Sequence, residues 1–179
     1  MIAIFLLTIF SGCDMQPLLY NKTNESKQVN LQQDEGWFKV KRVVDGDTFI
    51  ITKHNERVRL IGVDAPESVK PGEKPELFGR EASNYLNNLL TLQEVKLVFD
   101  IEKRDKYGRL LAYVYLKDGT FVNASILNEG YARVLTIPPN TVHAAEFLYL
   151  QNMAKKNGKG LWGKSWLSGN LAKKWGGNR

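Results

Sequence analysis

Five charged residues in three short runs carry the chemistry of this chain: Asp45-Gly46-Asp47-Thr48, Arg59-Leu60-Ile61-Gly62-Val63-Asp64-Ala65-Pro66-Glu67 and Asp105-Lys106-Tyr107-Gly108-Arg109. Asp47 and Asp64 are hard oxygen donors, Glu67 is a carboxylate able to act as a base, and Arg59 and Arg109 carry guanidinium forks. Those residue types are the parts needed to hold a divalent cation, activate a water and clamp a phosphodiester. An isolated Asp-Gly-Asp is also an ordinary turn, and Arg59 with Asp64 or Glu67 is also an ordinary surface ion pair. The combination points to metal-dependent phosphodiester chemistry.

The elements around these runs read as strands first and helices after. Trp37 to Val44, Thr48 to Lys53 and Arg57 to Val63 are short β-favouring runs, with Lys53-His54-Asn55-Glu56 as a polar turn between the last two. Alternation sends Val58 and Leu60 to one face and Arg57 and Arg59 to the other, so Arg59 points out of the core. From Glu76 to Leu90 the apolar spacing becomes helical, with Phe78, Ala82, Tyr85 and Leu89 on one stripe. Val95 to Phe99 and Leu110 to Leu116 return to strand character. Further helices are expected at about 122–129, closed by Gly130, and about 141–157, with Phe147, Leu150 and Ala154 in register and Gly158 as the stop. The fold class is α+β: a five-stranded OB-type β-barrel with about three α-helices.

Composition narrows the partners. With 179 residues and 43% hydrophobic content the chain holds one well-buried core and is too short for two ordinary domains. Residues 1–35 hold two Lys/Arg against four Asp/Glu, so of the net +6 the remaining residues carry +8. A basic folded part suits a polyanion such as nucleic acid or an anionic surface, although solvated lysines produce the same balance. The one cysteine, Cys13, excludes an internal disulfide and a cysteine-based metal cluster.

The position of Cys13 matters more than its thiol. Ile2 to Phe10 is an almost unbroken apolar run, too short to span a bilayer but the length of a secretory h-region. Phe10-Ser11-Gly12-Cys13 resembles the lipobox of bacterial lipoproteins, in which the cysteine is lipidated, although Phe10 replaces the usual leucine and no Lys or Arg precedes the run. A plain signal peptide with an incidental cysteine and an uncleaved anchor are the other readings. The expected organisation is a signal peptide over 1–12, a flexible polar tether over 13–36, the barrel domain over 37–163 and a basic tail over 164–179. Residues 155–179 carry seven Lys/Arg and no acid. An extracytoplasmic, membrane-anchored monomer is expected, or a secreted one if Cys13 is unmodified.

The chain resembles the staphylococcal nuclease (thermonuclease) family from about Val40 to Trp162. The resemblance rests on Asp45-Gly46-Asp47-Thr48, Arg59, Val63-Asp64-Ala65-Pro66-Glu67, Phe78-Gly79 ahead of Glu81-Ala82-Ser83, Asp105-Lys106-Tyr107-Gly108-Arg109-Leu110-Leu111-Ala112-Tyr113 and Gly160-Leu161-Trp162, all in order. It implies that Asp47 and Asp64 are Ca²⁺ ligands together with the backbone carbonyl of Ala65, where some members have Thr. It implies that Glu67 is the general base or at least the water-positioning carboxylate, and that Arg59 and Arg109 clamp the phosphate. Asp45 then supports the metal site from behind its ligands, and Lys106 and Tyr107 contact a neighbouring phosphate. The implied reaction hydrolyses DNA and RNA and leaves 3′-phosphate ends.

One departure stands out. Where some members line a nucleotide pocket with tyrosines, this chain has Thr136-Ile137-Pro138-Pro139 and is one residue shorter, so base stacking there is expected to be lost and the DNA-versus-RNA preference to differ. His54 and His143 are expected to be solvated or capping, and Trp162 to pack on the barrel. Two other function classes compete: a non-catalytic OB module binding single strands, which predicts loss of some of the five charged residues, and a calcium-stabilised envelope interaction protein without turnover. None of the five is lost.

Overall fold

The computed structural model describes residues 32–33, 36–68 and 76–163. The signal, Cys13, most of the tether, Trp166, Trp175 and the basic tail therefore lie outside the described residues, whereas Gln32 and Gln33, expected within the flexible tether, form a short strand paired with Phe99 and Val98. Eight strands and three α-helices follow in chain order: β1 (Gln32–Gln33), β2 (Phe38–Asp45), β3 (Thr48–Ile51), β4 (Arg57–Leu60), β5 (Gly62–Asp64), α1 (Gly79–Leu90), β6 (Glu94–Phe99), β7 (Leu110–Leu116), α2 (Val122–Asn128), β8 (Arg133–Leu135) and α3 (Ala144–Lys156).

β2, β3 and β4 run antiparallel, β4 pairs in parallel with β7, β7 returns antiparallel to β6, and β6 closes on β2. This circuit is the five-stranded barrel expected from the sequence, and closure leaves those strands with no free edge. Phe49, Val58, Leu60, Val95, Leu97, Ala112 and Val114 fill its interior and are essentially without exposure. Around it, α1 packs along β2 and α2 packs on β7 and α3.

Three details depart from the sequence reading. Helix α1 begins at Gly79 rather than Glu76 and buries Ala82, Leu86 and Leu90, while Tyr85 and Leu89 are only half-buried at the margin of the stripe. In α3 the centre of the buried face is Phe147, Gln151 and Ala154, and Gln151 is retained there because its Oε1 accepts the backbone N–H of Val134 at 2.9 Å. The third expected strand is two strands, β4 and β5, because at Ile61 the chain leaves the barrel and β5 pairs instead with β8, which sequence periodicity does not reveal at three residues.

That break is pinned by a buried polar side chain. Asn123 on α2 has no exposure; its Nδ2 donates to the carbonyls of Ile61 (2.9 Å) and Ala112 (3.3 Å), and its Oδ1 accepts the N–H of Val114 (2.9 Å). The amide fixes the corner between Arg59 on β4 and Asp64 on β5. Asn123→Ala would leave the Ile61 carbonyl and the Val114 N–H buried without partners and is expected to cost about 3 kcal/mol. Urea unfolding followed by tryptophan fluorescence checks this. Asn128→Ala, whose side chain reaches only Glu129, should shift stability by about 0.5 kcal/mol or less.

Candidate active site

The five charged residues of the three runs meet on one side of the barrel. Asp47 stands in the turn between β2 and β3, Asp64 closes β5, and Arg59 on β4 reaches both. Its Nη1 donates to Asp47 Oδ2 at 2.7 Å and its Nη2 to Asp64 Oδ1 at 3.2 Å. Asp47 also accepts the hydroxyl of Thr48 at 2.7 Å and, more weakly, the N–H of Ala65 at 3.4 Å. A polar cavity of about 230 Å³ opens over this cluster, lined by Asp45, Asp47, Asp64, Glu67, Arg59 and Arg109, with Arg57 at its rim.

Gly46 explains the middle residue of Asp-Gly-Asp. A Cβ there would lie 2.6 Å from the Ala65 methyl and 2.9 Å from that of Ala82, so the turn packs between the Asp64–Ala65 segment and α1. Asp45 is buried, and its Oδ1 accepts the N–H of Ser68 at 3.0 Å and the hydroxyl of Ser68 at 2.5 Å. Asp45 therefore anchors the residue that follows Glu67. The Glu67 carbonyl accepts the N–H of Glu76 at 2.7 Å, and Gly79 lets the start of α1 sit against the same carbonyl, where a Cβ would be 2.5 Å from the oxygen. Glu67 is fixed through its backbone on both sides and lines the cavity.

Arg109 is oriented by its own loop. Its Nε donates to Asp105 Oδ2 at 2.7 Å, and Asp105 Oδ1 accepts the N–H groups of Tyr107 and Arg109. Among the described residues the two terminal nitrogens of Arg109 make no hydrogen bond, so the fork is open toward the cavity. Arg104 braces the loop from outside, pairing bidentately with Glu56 at 2.8 and 2.9 Å and donating to the Gly108 carbonyl at 2.7 Å.

A second cavity of about 510 Å³ lies on the other side of the two arginines, with Leu111, Leu135, Ile137, Lys106 and Tyr107 among its walls. Tyr107 is 72% exposed, with the Lys106 ammonium 5.1 Å and the Arg109 guanidinium 5.4 Å from its ring centre. No tyrosine stands at the far wall, where Leu135 and Ile137 offer aliphatic surface instead. That wall is held by Asn140, which exchanges two hydrogen bonds with the Glu102 backbone, and by Val142, whose N–H donates to Asp100.

Neither histidine enters the site. His54 is in the exposed polar turn, whereas His143 occupies the N-cap position of α3, bonds through Nδ1 to Glu146 rather than to the helix backbone, and packs among the rings of Tyr113, Phe121 and Phe147. Trp162 packs in the closing turn, 3.2 Å from a Cβ built at Gly130, with Lys155 and Arg133 over its ring.

The donor set fits a hard dication. Among the described residues no cluster of three or more His, Cys, Asp or Glu has metal-ligand spacing, so a cation here would be held by only two carboxylates, Asp47 and Asp64, plus the Ala65 carbonyl. Burial raises the pKa of Asp47, and the opposing pull of Arg59 and the Thr48 hydrogen bond does not cancel it. Added positive charge beside this buried carboxylate would favour its ionised form.

The sequence reading missed Ser68 and Asn123, which touch the site only through a carboxylate or backbone, and held Thr48 as a member of its motif without the bond to Asp47. No spacing rule signals these contacts. Asp105 was legible as part of a motif but not as the residue that aims Arg109. Burial would raise its pKa, yet the hydrogen bonds from Arg109 and the Tyr107 N–H outweigh that and leave it lowered. A lowered folded pKa contributes stability above the ordinary carboxylate range and loses it as pH falls through the folded value. The stability gap between the unsubstituted chain and Asp105→Asn should therefore be full at pH 7 and close below about pH 4, as read by urea unfolding across that range.

Comparison with known proteins identifies the family. The family described as staphylococcal nuclease homologue matches residues 57–164. The chain is 48% identical over 125 residues to the thermonuclease of Staphylococcus intermedius, covering 69% of this chain and 74% of that one. It is 40% identical over 131 residues to the thermonuclease of Staphylococcus hyicus, covering 72% and 77%. Endonuclease YncB of Bacillus subtilis (strain 168) is 38% identical over 146 residues, covering 79% of this chain and 65% of that protein. With more than half its length matched, and with barrel, arginine pair and paired carboxylates in one site, the chain belongs to the staphylococcal nuclease family.

Proposed function

We propose that the protein is a calcium-dependent endonuclease hydrolysing DNA and RNA to 3′-phosphate ends. The observation that carries this reading is the single cavity in which Arg59, Arg109 and Glu67 converge beside Asp47 and Asp64. Calcium takes about six to eight oxygens, so a site of two carboxylates and a carbonyl leaves places for water and a phosphate oxygen. Bound calcium would supply the charge that polarises the phosphoryl group and favours deprotonation of the attacking water.

The chain's own residues do the rest. The open fork of Arg109 and the remaining N–H groups of Arg59 receive the phosphate's oxygens, whose charge grows as water adds to phosphorus. Glu67, fixed by Glu76 and by the Asp45–Ser68 contact, takes the water's proton. The apolar cavity beside the clamp gives the adjoining nucleoside a place to rest, and its aliphatic wall suits broad base tolerance rather than face-to-face stacking. Departure of the 5′-oxygen then leaves phosphate on the 3′ side.

Purified protein incubated with single-stranded DNA or RNA should cleave both in calcium, stop in chelator and work poorly in Mg²⁺, which demands a near-ideal octahedron at shorter distances and gives up its waters reluctantly. Glu67→Gln should lower kcat by two or more orders of magnitude with a small change in substrate affinity. Arg59→Lys and Arg109→Lys should each lower kcat/KM despite the retained charge, since lysine lacks the fork. Full activity in excess chelator, or products carrying 3′-hydroxyl ends, would overturn this reading.

The second part of the proposal is location: Cys13 is lipidated and anchors the enzyme at the outer face of the cell membrane, with a basic domain that samples nucleic acid outside. It rests on the apolar run ending at Ser11-Gly12-Cys13. Stable anchoring needs more than one acyl chain. The native chain should partition into membranes and incorporate labelled palmitate, and Cys13→Ser should do neither; equal partitioning of the two would contradict lipidation.

A further inference from the structure

Arg57 is the one guanidinium at the polar cavity that no acid claims. It lies on β4 two residues before Arg59, and the strand's alternation puts both on the outer face while Val58 and Leu60 are buried. Arg59 is engaged by Asp47 and Asp64, and Arg109 by Asp105. The acid next in sequence, Glu56, is held by both terminal nitrogens of Arg104. Arg57 makes no hydrogen bond or ion pair among the described residues, is exposed, and lines the cavity beside Asp45, Asp47 and Glu67. Its five N–H donors are therefore available to an anion that enters the cavity.

Its place sets which anion. Arg59 and Arg109 line both cavities, whereas Lys106 and Tyr107 line only the apolar one and Arg57 only the polar one. Arg57 and Lys106 thus flank the clamp on opposite sides. Two residues of strand separate Arg57 from Arg59 by about 6.6 Å, a step comparable to that between successive phosphates of an extended single strand. We propose that Arg57 binds the phosphate next to the scissile one, on the side away from the apolar cavity, and so extends the binding track by one nucleotide.

This subsite rests on the nuclease reading, and the test separates the two. Binding of a labelled dinucleotide, with its one phosphodiester, and of an octanucleotide is measured by fluorescence anisotropy in calcium over a series of salt concentrations. Glu67→Gln is compared with Glu67→Gln/Arg57→Gln, so that the strands survive. The added substitution should weaken octanucleotide binding about tenfold, the scale of one charged hydrogen-bonded contact. It should also reduce the slope of log affinity against log salt by about 0.7 for the lost single-strand phosphate, and leave the dinucleotide unaffected.

An unchanged octanucleotide affinity and slope would overturn the subsite. Equal loss on both strands would also overturn it, placing Arg57 at the scissile phosphate instead. Cleavage by the unsubstituted chain is measured alongside: if it fails while the Arg57 effect persists, the hydrolytic reading falls and the subsite stands. No binding of either strand would overturn both.

Discussion

Everything in the site depends on one guanidinium placed between two carboxylates. Asp47 is almost wholly buried, and a buried carboxylate without a partner is costly. Arg59 meets it at 2.7 Å and meets Asp64 with its other terminal nitrogen, so the β2–β3 turn, β4 and the end of β5 are locked into one cluster. Removing one partner of such a buried pair typically costs about 3–5 kcal/mol. The pair is incomplete by design of its surroundings: burial still pushes the Asp47 pKa up after Arg59 and Thr48 have pulled it down. Added positive charge beside the cluster that fixes the strands would therefore favour the ionised carboxylate.

The remainder of the fold can be understood as support for that cluster. The barrel brings the β2–β3 turn beside β4, and Asn123 sets the corner from which Asp64 departs. Asp45 holds Ser68 and thereby the neighbouring Glu67, Asp105 aims Arg109, and Arg104 with Glu56 clamps the loop that carries Asp105. Each support is a hydrogen bond with a short lever, which suits a site whose groups must stay in place while substrate strands come and go. The clamp then divides two unlike spaces, a polar one over the carboxylates and an aliphatic one beside Tyr107.

How much of this the sequence showed follows from the range of each interaction. Strands β2, β3, β6 and β7 and all three helices were legible because burial imposes a period on neighbouring residues, as Val58 and Leu60 against Arg57 and Arg59 illustrate. The five charged residues were legible because their types and order match a known pattern. What was not legible was non-local: the pairing of β5 with β8, the Asn123 pin, and the Asp45–Ser68 contact across 23 residues. The α1 stripe was misplaced by one position because Tyr85 and Leu86 both fit helical spacing, and only the packed partner decides which is central. His143 stands at the N-cap position of α3 as expected, but the rings of Tyr113 and Phe121 that pack on it come from β7 and from the residue before α2 and leave no local trace.

The account's central claim is that Asp47 and Asp64 hold a cation whose open positions are completed by a substrate phosphate oriented by Arg59 and Arg109. Its most direct test is calcium titration by calorimetry, with and without an uncleavable phosphorothioate dinucleotide. Because coupling between two ligands is reciprocal, calcium should bind more tightly when the dinucleotide is present, and the dinucleotide more tightly when calcium is present, by the same factor. Calcium affinity unchanged by the dinucleotide would contradict a shared centre.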